Sequence, residues 1–253
     1  MPCGQRISPA SGATLGAAWC GMSPASGGPS NYFKSFFTPA TIHRGGESMP
    51  EDRKMPNANL RVLLVAIEEV MGENGAKAVL NAGGLGHFIN NYPPNDTEME
   101  SSFADYGMAQ QAVEDFYGPR GARAMLIRIG RATFRYTLQE QPAILGLAGL
   151  ALKALPAGSR MKLVLDNITN AANKDVNLHA HLREEPDAYY YVNEICPCKW
   201  RPKHDQPACF ITVGVLQEAM LWATGKNFKV EEVACISNGA SACVYRIPKE
   251  PIE

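Results

Sequence analysis

Near its C-terminus the chain reads EEVACISNGASACVY, Glu231 to Tyr245, with two cysteines flanking a turn built on Asn238 and Gly239. A three-residue loop centred on Gly239 would set Cys235 opposite Cys243, and cross-strand partners lie roughly 4.5–5.5 Å apart. Two thiolates at that separation can share a metal ion. They could also form a disulfide, which a reducing compartment disfavours, or fill the core as small apolar residues. Further donors must come from elsewhere. Cys209 follows Pro207 at the start of a predicted helix, where the helix dipole favours a thiolate. Glu232 lies three residues before Cys235, an odd separation that puts the two side chains on opposite faces of a regular strand. Binding one ion through both requires a bulge between them, and Glu231, which has the right parity, is the alternative ligand. Cys196-Pro197-Cys198 offers two more sulfurs as substitute ligands.

The elements that must hold these residues follow from hydrophobic period. Asn57 or Asn59 can cap a helix that carries Leu60, Leu63, Leu64, Ile67 and Met71 on one face and ends at Gly72. A short helix over 76–80 and helices over 98–117, 120–139, 142–155 and 157–173 come next. Arg128, Arg131 and Arg135 then form a stripe on the 120–139 helix that reads first as a solvated face, with an anion or nucleic-acid site as the sharper alternative. After Asn173 the period changes to 2, and DVNLHAHLRE and AYYYVNEIC read as two strands around Glu185-Pro186-Asp187. His179 and His181 would share a sheet face there, more simply as outward polar residues than as metal ligands. A helix over 208–225 and the strands NFKVEEVACI and ACVYRIP close the chain. Several helices followed by strands give an α+β class, with helices packed on an antiparallel sheet of about four strands. Gly83, Gly84 and Gly86 lack a preceding strand and the G-x-G-x-x-G spacing of a phosphate loop.

Composition narrows the function classes. A net charge of -1 over 253 residues leaves no basic excess for a phosphate backbone, so nucleic acid is not expected as a partner. PAILGLAGLALKAL, 14 residues from Pro142 with Lys153 inside it, falls short of the roughly 18–20 apolar residues of a membrane span. The N-terminus lacks the apolar run of a signal peptide, so a cytoplasmic location is expected, with thiols more than disulfides among the seven cysteines. Residues 1 to about 55, rich in Gly, Ser, Pro and Ala, read as a disordered arm, leaving 56–253 as one domain. No dinucleotide fingerprint and no iron–sulfur cysteine run is present, which argues against a redox enzyme.

From Cys196 to Pro248 the sequence resembles the 4-vinyl reductase domain, a hydrocarbon-binding module of phenol- and xylene-responsive regulators and of bacteriochlorophyll-biosynthesis accessory proteins. The signature is a cysteine opening a glycine-containing helix, then Glu-x-x-Cys, a glycine turn and a further cysteine. Here these are Cys209, Gly214, Glu232, Cys235, Gly239 and Cys243. The turn departs from many relatives in having Ala240 where they carry an acidic residue. The resemblance implies a structural Zn2+ held by Cys209, Glu232, Cys235 and Cys243, a closed set with no open coordination position. It implies a fold similar to vesicle-tethering subunits and an apolar cavity, for which Phe134, Tyr136, Leu147, Tyr190, Trp200, Phe210 and Trp222 are the lining candidates. The function it implies is a stand-alone binding or sensing domain for an aromatic or tetrapyrrole-like small molecule. A homodimer and a separate signalling or biosynthetic partner protein go with it. The alternative is an enzyme, or a substrate-presenting accessory, in vinyl reduction.

Overall fold

Leu60, Leu63, Leu64 and Ile67 recur at helical spacing, and all four are buried on one helix face. The computed structural model describes residues 51–140 and 155–252. In it these leucines belong to α1, Asn57–Ala82, which breaks at Gly72, where φ is +74°. α2, Phe103–Glu140, breaks in the same way at Gly118 (φ +70°), and Pro119 restarts it as a first-turn residue whose missing N–H costs nothing. The helix expected from residue 98 begins only at Phe103, because Ser101–Ser102 pair as strand β2 with β1, Lys54–Met55. The arm expected to reach residue 55 therefore ends earlier: Met55 is buried and Arg53 accepts a backbone hydrogen bond from Phe103. The helix expected over 142–155 and Leu147 lie outside the described residues, as does most of the expected arm.

α3, Ala157–Asp175, leads into an antiparallel sheet of order β3-β4-β6-β5, made of Ala180–Glu184, Ala188–Asn193, Cys243–Pro248 and Glu231–Ala234. α4, Phe210–Thr224, stands between β4 and β5 in sequence and ends on left-handed Gly225. The expected α+β architecture, helices on a four-stranded antiparallel sheet, is what the chain forms. In β6 Cys243, Tyr245 and Ile247 alternate inward with outward neighbours, the period of a half-buried strand. His179 takes a positive φ of 49° just before β3, so it shares no strand face with His181, and both are exposed.

Two glycines set how closely α2 and α4 cross. A side chain at Gly130 would meet the Ile211 carbonyl at 2.1 Å, and one at Gly214 the Ile127 carbonyl at 2.2 Å. The arginine stripe is a solvated face tied to its neighbours: Arg131 pairs with Glu218 at 2.7 Å and Arg135 with Glu69 at 2.9 Å, while Arg128 is exposed. Such pairs contribute about 0–1 kcal/mol each.

Candidate functional site

Where the helical and sheet layers meet, five cysteines converge. Cys196 and Cys198 come from the tight turn after β4, Cys209 caps α4, Cys235 follows β5, and Cys243 opens β6. All five are buried and unbridged. Their sulfurs lie 3.4 Å apart for Cys198–Cys243, 3.5 Å for Cys209–Cys235, 3.7 Å for Cys196–Cys209, and 3.9 Å for Cys209–Cys243 and Cys235–Cys243. Cys235 does not stand opposite Cys243 in the ladder; Asn193 and Val244 take the partner positions of Cys243 and Ala234. A tight turn at Ile236–Asn238, closed by left-handed Gly239, folds Cys235 back toward the β6 sulfur instead. The ladder register shifts between Glu232 and Ala234, the irregularity that lets Glu232 face the same way as Cys235. Glu231, the alternative donor, pairs outward with Lys229 at 2.8 Å.

Glu232 does a second job here. Its Oε2 accepts the Cys209 N–H at 2.7 Å, capping α4, while Oε1 is buried without a partner. Burial first, then the nearby Cys235 and Cys243, push its carboxyl up to about 10. Among the thiols, hydrogen bonding splits the set. Cys196 and Cys209 are pushed up, the first chiefly through Cys198 and the second through Cys196, while Cys198, Cys235 and Cys243 fall to about 5 through the S–H donors around them.

Next to this cluster lies a buried ionic network. The Arg201 guanidinium, with no exposed side-chain surface, donates to Glu114 at 2.5 Å, to Gln111 at 3.2 Å and to the Ala208 carbonyl at 2.8 Å. His204 Nε2 lies 3.3 Å from the same Glu114 oxygen. The Glu114 carboxyl is held below its ordinary value of 4.5, first by the His204 hydrogen bond and then, against the opposing cost of burial, by the Arg201 charge. A depressed carboxylate adds stability above its ordinary value, and that stability is lost as pH falls through the folded value. Glu114→Gln should therefore flatten the acid side of a plot of Tm against pH below about 4.5. An unchanged acid limb would show that the network does not govern acid lability.

A cavity of about 220 Å³ lies between the helices and the inner sheet face. Ala58 and Val62 of α1, Tyr106, Thr133 and Phe134 of α2, Ile168 of α3, Tyr191 and Asn193 of β4, Cys196, and Thr212, Val215 and Leu216 of α4 line it. Of the lining candidates expected from sequence, only Phe134 reaches it among the described residues. Trp200 packs on Phe103 with ring centroids 5.5 Å apart, Tyr190 lies under Arg183 on the outer sheet face, and Phe210 lies under Arg123. Tyr136 packs in the α1–α2 core, and Trp222 is partly exposed against Phe134. Aromatic type was the wrong guide, because these rings carry polar edges that found partners at the rim; the cavity wall is mostly aliphatic. The Arg201 network and Asn193 went unseen because their partners are far apart in sequence.

The family model of the 4-vinyl reductase (V-4-R) domain matches residues 191–249, which span all five clustered cysteines but less than a quarter of the chain. No curated protein matches the sequence. Solved structures resemble it over much more. A double variant of the Tt H-NOX protein aligns with TM-score 0.51 and 15% identity, over 79% of this chain and 97% of that one. An oxygen-binding H-NOX domain related to soluble guanylate cyclases gives 0.50 and 13% over the same shares. An H-NOX protein solved to explain H-NOX activation gives 0.51 and 14%, over 79% and 99%. The fold is similar to that of H-NOX domains.

This corrects the expected whole-chain assignment to the hydrocarbon-binding 4-vinyl reductase family, and with it the role in vinyl reduction or bacteriochlorophyll synthesis. The structural zinc is corrected as well. A closed set of three cysteines and Glu232 was expected, yet five sulfurs gather, in two four-donor sets that share Cys209 and Cys243. Glu232 is moreover engaged as the cap of α4. Among the described residues no helix is long and apolar enough to cross a membrane.

Proposed function

We propose that this chain is a small-molecule sensing domain of H-NOX-type architecture, which binds a compact and largely apolar ligand without turning it over. The cavity carries this proposal. At about 220 Å³ it is smaller than most drug-sized pockets, roughly 300–1,000 Å³, and larger than the apolar cavities of roughly 150 Å³ that take up benzene. The Asn193 side-chain oxygen faces it, buried and without a protein partner among the described residues. An unpaired buried acceptor favours a ligand that brings one O–H or N–H donor.

The H-NOX structures bring haem to mind, since one of them is described through haem redox potential and porphyrin distortion. The cavity does not fit that group. Among the described residues its lining contains no histidine to hold the iron and no arginine or lysine to meet the propionates, and its volume suits a single ring better than a macrocycle.

The test is thermal unfolding in the presence of a phenol-type probe, a plain hydrocarbon ring and hemin. A ligand at 100 times its Kd should stabilise the domain by about 2.7 kcal/mol, a Tm rise of about 5–10 °C. The ring probes are expected to give it and hemin is not. Asn193→Leu should lower affinity for the hydroxylated ring by about tenfold or more and leave the hydrocarbon largely unaffected. Val62→Phe, which fills the cavity from α1, should abolish both shifts. A Soret band at one haem per chain in freshly purified protein, with no response to ring probes, would overturn the proposal.

A further inference from the structure

Five buried sulfurs are one more than any single four-coordinate ion can use. The arrangement divides into two donor sets, Cys196/Cys198/Cys209/Cys243 and Cys209/Glu232/Cys235/Cys243, each with its donor atoms within 4.8 Å of one another. The sets share the Cys209–Cys243 edge of 3.9 Å. A thiolate sulfur keeps lone pairs free after binding one metal and can bridge two. Metal–thiolate bonds of about 2.3 Å place sulfurs around one ion about 3.8–4.0 Å apart. The separations of 3.4–3.9 Å fall at or just inside that range.

Among the described residues the cation beside the cluster, Arg201, is committed to Glu114 and Gln111. Two buried oxygens in the same region have no partner there: Oε1 of Glu232 and the hydroxyl of Tyr245, a residue with no exposed surface. Five sulfurs from four separate elements, with orphaned polar atoms beside them, are poorly explained as plain apolar packing.

We propose that this pocket holds two soft metal ions of the copper(I) type, bridged through the sulfurs of Cys209 and Cys243. Cys196 and Cys198 complete one ion's shell and Cys235 the other's, with Glu232 at its edge. Almost all-sulfur coordination in a dry pocket selects soft ions over hard ones. Cys196 also lines the ligand cavity, so the metal pair and the small-molecule site share a wall. This proposal does not depend on what occupies the cavity.

The test is anaerobic titration of the full chain, reduced, with copper(I) supplied as its acetonitrile complex and counted by native mass spectrometry. A Cys3→Ser/Cys20→Ser version is run alongside, so that the two cysteines outside the cluster contribute nothing. Two copper ions per chain are expected in that version, with the emission of a bridged copper–thiolate pair. Cys196→Ser and Cys198→Ser should each hold one, and Val62→Phe should still hold two. Saturation at one ion or none in the Cys3/Cys20 version overturns the proposal, and that count does not depend on whether the cluster variants fold. Retention of two ions by a folded Cys198→Ser protein would overturn it equally.

Discussion

Gly214→Ala is expected to destabilise the domain by about 3 kcal/mol or more, lowering Tm by about 6–12 °C. The added methyl would lie 2.2 Å from the Ile127 carbonyl oxygen and 3.0 Å from the Arg131 nitrogen and the Gly130 Cα. All three are backbone atoms inside α2, and none can rotate aside as a side-chain tip would. Relief requires the two helices to move apart, which loosens the contact that seats Val213 and Leu216 and reshapes the cavity wall they flank. Gly158→Ala is the control, because its methyl would meet nothing within 4 Å, and a neutral or slightly stabilising result is expected there. A Gly214→Ala protein within about 1 kcal/mol of the parent by urea unfolding would mean that α2 and α4 do not cross this closely.

Arg201→Met should cost about 3–5 kcal/mol, the usual effect of removing one partner from a buried ion pair. The methionine fills similar volume, so the loss comes chiefly from charge. Glu114 would keep a carboxylate in a half-buried place facing only His204, and the Ala208 carbonyl and the Gln111 side-chain oxygen would lose their donor. The double variant Arg201→Met/Glu114→Gln should recover part of that loss, because no uncompensated charge remains. A single variant no less stable than the double one would show that packing, not ion pairing, sets the contribution. Because Ala208 immediately precedes Cys209, the single variant should also speed labelling of the cluster thiols by a thiol reagent.

Much of the secondary structure was legible in the chain because its causes are local. Leucine spacing marked α1, glycine broke α1 and α2 at positions 72 and 118, and alternation marked β4 and β6. The α+β class followed from their order. Cysteine spacing also marked the right neighbourhood, and parity pointed to a bulge after Glu232, where the ladder shifts. Those signals reach only a few residues along the chain.

What the tertiary structure decided is what lies far apart in sequence. The Cys196-Pro197-Cys198 turn enters the cluster itself, with Cys198 3.4 Å from Cys243 across 45 residues, so the count rises from three sulfurs to five. Arg201 meets Glu114 across 87 residues, and no local pattern marks either one. The cavity wall is assembled from four helices and a strand, each supplying a few side chains that look ordinary alone. Sequence period fixes which face of an element is apolar, but the distances between faces depend on how closely the backbones approach. Here that approach is set by Gly130 against Gly214, a contact only the folded chain makes.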